Sequence, residues 1–216
     1  MALYCMLESL DRIAAERTLQ TSNVRLEEIF RAMAQMMQAR SHEELVSIIR
    51  ANLPQVFGYE FAAILFFEKK EGNLYAFVKK DSWSTKSAKL MLPCELGITG
   101  VAIKERRTMF FAEGEDDPNY QLEVDNTRQI LDYGQALVCP LYDPKGSLCG
   151  CLTLINKISQ ETTSEKDEQD LGRISPSIAE MINLLDVQRE VTEISANLNT
   201  VMDDVRVQID GFDKGF

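Results

Sequence analysis

The sequence predicts an α+β domain: an antiparallel sheet of five to six strands, with helices packed on one face and long helices flanking it at both ends. Two stretches carry helical periodicity, one before Gly58 and one after Ser164. Between them lie short apolar runs separated by turn signals, the pattern of hairpins.

At the N-terminus, Leu3, Leu7, Leu10 and Ile13 mark an amphipathic helix. The polar "TSNV" at 21–24 lets that helix break or restart. Leu26, Ile29, Phe30, Met33, Met36 and Met37 then form one face, with the methionines as core filler. "SHEE" at 41–44 is a capping box, and the helix it opens ends near Gly58. Phe61–Phe67 reads as a central strand, followed by a "KKEGN" turn and a second strand at Leu74–Val78. Gly97 and Gly100 precede a short helix over Val101–Glu105, and Thr108–Phe111 makes another strand. The acidic, turn-rich segment from Ala112 to Asn126 reads as a surface loop or lid. "QALVCPLYDPKGSLCGCLTLIN" is a hairpin around Asp143-Pro144-Lys145-Gly146.

The terminal helix begins after the cap Ser164 and carries two stripes. Leu171, Ile174, Ile178, Met181 and Leu185 suit the globular core. Val187, Val191, Ile194, Leu198, Val201 and Val205 follow in a shifted phase and need another partner, whether a second chain or the N-terminal helix of the same chain. Pro176 must kink the helix or, with Ser175 as cap, start a new one. The boundaries follow: a helical extension over 1–40, a globular domain over 41–187, and a second helical extension over 188–216.

Composition excludes several functions. Of the 216 residues, 45% are apolar, enough for a core. The net charge of -11 argues against nucleic acid or an anionic membrane as partner. The longest apolar run, Phe61–Phe67, is far short of the roughly 20 residues of a membrane helix. The early acids Glu8 and Asp11 argue against a secretory signal, and the ends suit a complete chain. The one histidine, His42, reads as a solvated first-turn residue, so no metal site and no Ser–His–Asp triad is expected. Five irregularly spaced cysteines read as reduced core residues of an intracellular protein. Cys149 and Cys151, two apart, are expected on one strand face, and Cys139 with Cys151 is the sharper alternative of a redox pair.

The order "LPCELGITGVAIKERRTMFF", "DDPNY", "EVDN", "ALVCPLYDPKGSLCGCLTLINK" and "DE" resembles a GAF domain of the kind found in cyclic-nucleotide phosphodiesterases, over roughly residues 42–187. Asn156 and Lys157 match the family's Asn-Lys, and Asp167 and Glu168 its Asp-Glu; the Phe between them is replaced by Thr163. The resemblance implies a structural clasp, with Lys157 paired to Asp167 across the last strand and the terminal helix. It also implies a ligand pocket, for which Lys79, Gly97, Ile98, Thr99, Asp125, Thr127 and Thr153 are the candidates. Thr153 is expected to share its strand face with Cys149, Cys151 and Ile155. Lys79 and Lys80 stand where nucleotide-binding relatives carry Phe-Asp, so the stacking Phe is missing.

The expected function is therefore a non-catalytic interaction or scaffold module that contacts a protein partner, or itself, through its flanking helices. The alternative is a sensor binding cyclic AMP or cyclic GMP in the pocket. No cofactor is expected beyond such a nucleotide. The expected location is cytoplasmic, and a cytoskeletal or other large assembly is compatible with it.

Overall fold

The computed structural model describes residues 23–79, 87–126, 129, 132–158 and 165–212, the side chains of 79, 87 and 203–212 excepted. Helix α1 spans 23–36. It is followed by α2 (His42–Phe57), β1 (Tyr59–Glu68), β2 (Asn73–Lys79), β3 (Ser87–Leu92), α3 (Gly97–Glu105), β4 (Met109–Phe111), α4 (Leu122–Asp125), β5 (Ala136–Tyr142), β6 (Leu148–Lys157) and α5 (Glu165–Phe212). The six strands form one antiparallel sheet in the order β3-β2-β1-β6-β5-β4. No described helix is long and apolar enough to cross a membrane.

Strand alternation sorts the side chains into two layers. Ala62, Ile64, Phe66, Leu152 and Leu154 point to the long helices, where they meet Ile29, Met36, Ile49, Leu53, Ile178 and Ile182. Cys151, Ile155, Ala136 and Val138 point the other way, against Ile98 and Ala102 of α3. The three long helices thus cover one face, as the sequence predicts. The short α3 and α4 lie against the other, a placement the apolar pattern alone does not show. Helices on either side of residue 40 share one core, because Ile29, Ala32 and Met36 of α1 are buried in it.

The α2 start follows its sequence signal. Ser41 Oγ accepts from the Glu44 amide at 3.2 Å, and Glu44 reaches back to the Arg40 amide at 2.8 Å. Gly58 closes the helix in the left-handed conformation, at φ 71°.

Three expectations need correction, those on His42, on Cys149 with Cys151 and on Cys139 with Cys151, and two details, at β3 and Pro176, go beyond the sequence reading. Strand β3 extends the sheet past the second strand read from the sequence; its "SAKLML" mixes polar and apolar residues as an edge strand does. His42 is not solvated: it is 4% exposed, its ring packed on Phe66 and Phe77. Its capping position sits over the sheet, so the first turn faces inward. Cys149 and Cys151 do not share a face. The register jumps between Leu141 and Tyr142, which pair with Gly150 and Leu148, and the extra residue Cys149 turns toward α5. Cys139 and Cys151 also face opposite layers, so the alternative redox pair is not formed. At Pro176 the helix runs on, so of the two readings a fresh start at Ser175 is the one not taken. Proline cannot donate to the carbonyl four residues back, that of Gly172, and the Ser175 hydroxyl donates to it instead at 2.9 Å.

Candidate functional site

On the α3 face, Asp125 organises what the resemblance marks as the ligand side. Helix α4 places its carboxylate at the start of α3, where Oδ2 accepts from the Ile98 amide at 3.0 Å. Oδ1 accepts from the Thr99 amide at 3.1 Å and the Thr99 hydroxyl at 2.8 Å. Oδ2 also accepts from the Gln121 amide at 2.9 Å. A helix N-terminus presents free amides and positive potential, a natural seat for a phosphate. Here a carboxylate of the same chain fills that seat. Burial pushes the Asp125 carboxyl above its usual range, and the bonds from Gln121, Thr99 and Ile98 pull against it.

Gly97 permits this approach. Its φ is 77°, and a Cβ there would stand 2.3 Å from Asp125 Oδ2. Four predicted pocket residues, Gly97, Ile98, Thr99 and Asp125, are therefore brought together, but around each other. Thr153 lies on the same side of the sheet, buried opposite Ala63 and Val138. Lys79 ends β2, which β1 and β6 separate from β5. Lys80, Thr127, Thr163 and Ser164 lie outside the described residues. The buried Tyr133 hydroxyl in this layer has no hydrogen-bond partner among the described residues, and neither has that of Tyr120; the two ring centroids lie 5.2 Å apart.

At the opposite layer, Lys157 Nζ lies 2.5 Å from Asp167 Oδ2. Sequence reasoning missed the second cation: Arg25 of α1 reaches Asp167 Oδ1 at 2.6 Å and Asp170 at 3.3 Å. Asp167 thus ties β6, α1 and α5 together while itself buried. Nothing in the sequence singled out Arg25, because the contact spans 142 positions. Asn156 does a separate job. At φ 57° it turns the strand end, accepting from the Gly134 amide at 2.8 Å and donating to the Asp132 carbonyl at 3.0 Å. Glu168 is half-buried beside a shallow depression lined by Arg106 and Arg107.

Beyond Leu185, one face of α5 still lies along the body, with Asp186 3.4 Å from His42 and Arg189 and Thr192 lining a depression with Phe77 and Lys89, while another face turns to solvent. Val187, Val191, Ile194, Leu198 and Val201 are each between 55% and 60% exposed. Val205 continues the spacing within the helix. Leu184, also exposed, begins the series and borders an apolar cleft of about 310 Å³ lined by Met33, Met36, Met37 and Met181. No group of three or more metal-ligating side chains occurs among the described residues.

The fold is that of GAF domains. A GAF domain from a phosphoenolpyruvate-protein phosphotransferase of Coxiella burnetii superposes with a TM-score of 0.63 at 16% identity, covering 77% of this chain and 96% of that one. The GAF domain of a two-component sensor histidine kinase from Bacillus halodurans gives 0.51 at 18%, covering 69% and 98%. Free methionine-R-sulfoxide reductase from Neisseria meningitidis, in complex with its substrate, gives 0.56 at 13%, covering 79% and 93%. No protein-family model matches the chain. No curated protein matches it either.

Proposed function

We propose that this chain is a non-catalytic interaction module built on a GAF fold, with the solvent-facing side of the outer half of α5 as its contact surface. The observation that carries the reading is the exposed series Val187, Val191, Ile194, Leu198 and Val201. Its steps of four and three residues form a straight apolar seam, which in water is stable only when another surface covers it. The closed seat at α3 supports the same reading, since a nucleotide phosphate would have to displace Asp125 from four donors.

The thiols do not favour reductase chemistry like that of the Neisseria protein. Burial raises the pKa of Cys139, Cys149 and Cys151, which suppresses the nucleophilic thiolate. The experiment is size exclusion of the tagged chain in extracts of its own cells. Wild type should elute in an assembly larger than its 24.5 kDa, and Ile194→Asp as a monomer. A monomeric wild type would contradict the reading.

A sensor reading has one observation in its favour, the unpartnered Tyr133 hydroxyl in the layer below α3 and α4. A small ligand carrying an acceptor would satisfy it. Binding would then require the lid that carries Asp125 to move, and a ligand-dependent thermal shift would reveal it.

A further inference from the structure

We propose that the α5 seam is covered by a helix of a different protein, one that brings a lysine or arginine to Glu180 and an aromatic side chain into the methionine-lined cleft beside it. The inference rests on the contact-surface reading above and gives the partner its chemistry.

Glu180 stands on the seam itself. Back from Val201, the stripe passes Leu198, Ile194, Val191, Val187 and Leu184 at steps of three and four, and the next step of four reaches Glu180. The stripe is thus about 32 Å long, three heptads, and apolar except at its inner end. Glu180 is exposed, and among the described residues no ion pair or hydrogen bond engages its carboxylate. Asp186 and Glu193, on the other side of the same helix, both pair with Arg189. An apolar surface laid over the whole stripe would strip water from Glu180, which is costly unless a cation faces it. One charge in an otherwise apolar seam therefore selects both partner and register.

A second α5 does not meet that demand. Side by side in parallel, two copies set Glu180 against Glu180. The cations on the same stripe, Lys166 and Arg173, both precede Glu180. An antiparallel register that faces either of them with Glu180 leaves Val191, Ile194, Leu198 and Val201 with nothing opposite, because α5 begins at Glu165.

The cleft supplies the other half of the recognition. Its volume is about 310 Å³, and it is lined by Met33, Met36 and Met37 of α1 and by Glu180, Met181 and Leu184 of α5. The free carboxylate and the thioethers therefore border one space. Thioethers adapt to the shape of a guest, and their sulfur makes favourable contacts with an aromatic ring. Phe30 and Met37, which share a stripe with Met33 at steps of three and four, are exposed and widen the apolar surface on the α1 side. A pocket for one large anchor, bordered by apolar surface, is the usual build of a binding hot spot. A helix laid between α1 and α5 would bury its anchor there, meet Glu180 with a cation close by, and run on along the seam.

The test uses the purified full chain and synthetic helical peptides with leucines at alternating steps of three and four. A tryptophan and a lysine close the stripe, at the C-terminal end of one peptide and the N-terminal end of the other, so that both orientations are offered. Sedimentation should show the purified chain alone as a single 24.5 kDa species. One of the lysine peptides should bind, its tryptophan emission moving to shorter wavelength as the indole enters the cleft. Glutamate in place of that lysine should weaken binding about tenfold or more. Glu180→Lys should reverse the preference, and Met37→Asp should abolish the emission shift. Both positions are exposed, so the replacements leave the core intact. Equal binding of the lysine and glutamate peptides, a preference that Glu180→Lys leaves in place, or no binding of any peptide would overturn the proposal. A purified dimer that Ile194→Asp separates would overturn it too, because a second copy would then be the occupant. The contact-surface reading fails separately, only if the wild type is monomeric in its own extract.

Discussion

Two regions of this molecule carry the marks of a site, and they are built in opposite ways. Around α3, the backbone amides that a phosphate could take are already satisfied from within: Asp125 holds Ile98, Thr99 and Gln121. Along the outer half of α5, apolar groups that a partner could cover are left bare. On the proposed reading, the pocket side of the fold and its contact surface do not coincide. A ligand at α3 would have to compete with Asp125 for these donors. What the chain leaves unsatisfied at a cost in water points outward.

The largest effects should separate the two regions cleanly. Asp125→Ala strips a buried carboxylate from four donors and leaves the α3 amides unpaired. We expect a loss of about 3 kcal/mol in urea unfolding, since hydrogen bonds to charged groups contribute about 1.5–3 kcal/mol each and do not simply add. Ile194→Ala should change the stability of the dilute chain by less than about 0.5 kcal/mol, as surface changes do. Ile178→Ala, on the buried half of the same helix, should cost about 2–5 kcal/mol. Equal effects at Ile178 and Ile194 would break the comparison.

A second effect tests how the body holds α5. Asp167→Ala leaves Lys157 and Arg25 without their shared carboxylate. Both cations are partly solvated, so the loss should be about 1–3 kcal/mol, below the 3–5 of a fully buried pair. Glu193→Ala, which removes only the 3.9 Å exposed pair with Arg189, should be near neutral.

These contrasts also show what was legible in the sequence. The pairing of Lys157 with Asp167 was implied by the resemblance, and the strand end and helix start at which they sit are consistent with it. Arg25, their third partner, could not be named, because no local pattern connects α1 to residue 167. The seam from Val187 to Val201 was legible because helical spacing is local. Its shifted phase also set it apart from Leu171 and Ile178, which share the spacing and are buried. Asp125 was recognised as a pocket residue by resemblance. That it faces inward and caps α3 depends on Gly97, whose positive φ no spacing rule reveals. His42 was misread because a capping-box position is usually wet, and only the sheet beneath α2 makes it dry. Cys149 was misplaced because alternation holds only until a bulge interrupts it.

A smaller effect concerns His42, where the anchored part of α5 gives way to the seam. Burial lowers its pKa, Asp186 at 3.4 Å and Glu43 pull it up, and Arg189 and Lys89 push it down. The unfolded chain, with a histidine pKa of about 6.5, takes up a proton that the native state resists. Stability is therefore present above about pH 6.5 and is lost as pH falls through the lower folded value. His42→Phe should flatten the melting temperature between about pH 7 and pH 5. An unchanged profile would mean that the buried imidazole is not the group responsible.

The most direct test of the central claim is thermal unfolding of the wild-type chain with cyclic AMP, with cyclic GMP and with neither, up to millimolar concentrations. A ligand at 100 times its dissociation constant stabilises by about 2.7 kcal/mol, an evident shift in melting temperature. The account predicts no shift, because Asp125 already occupies the seat at α3. A clear shift with either nucleotide would contradict it, and would place the working site beneath α3 rather than along α5.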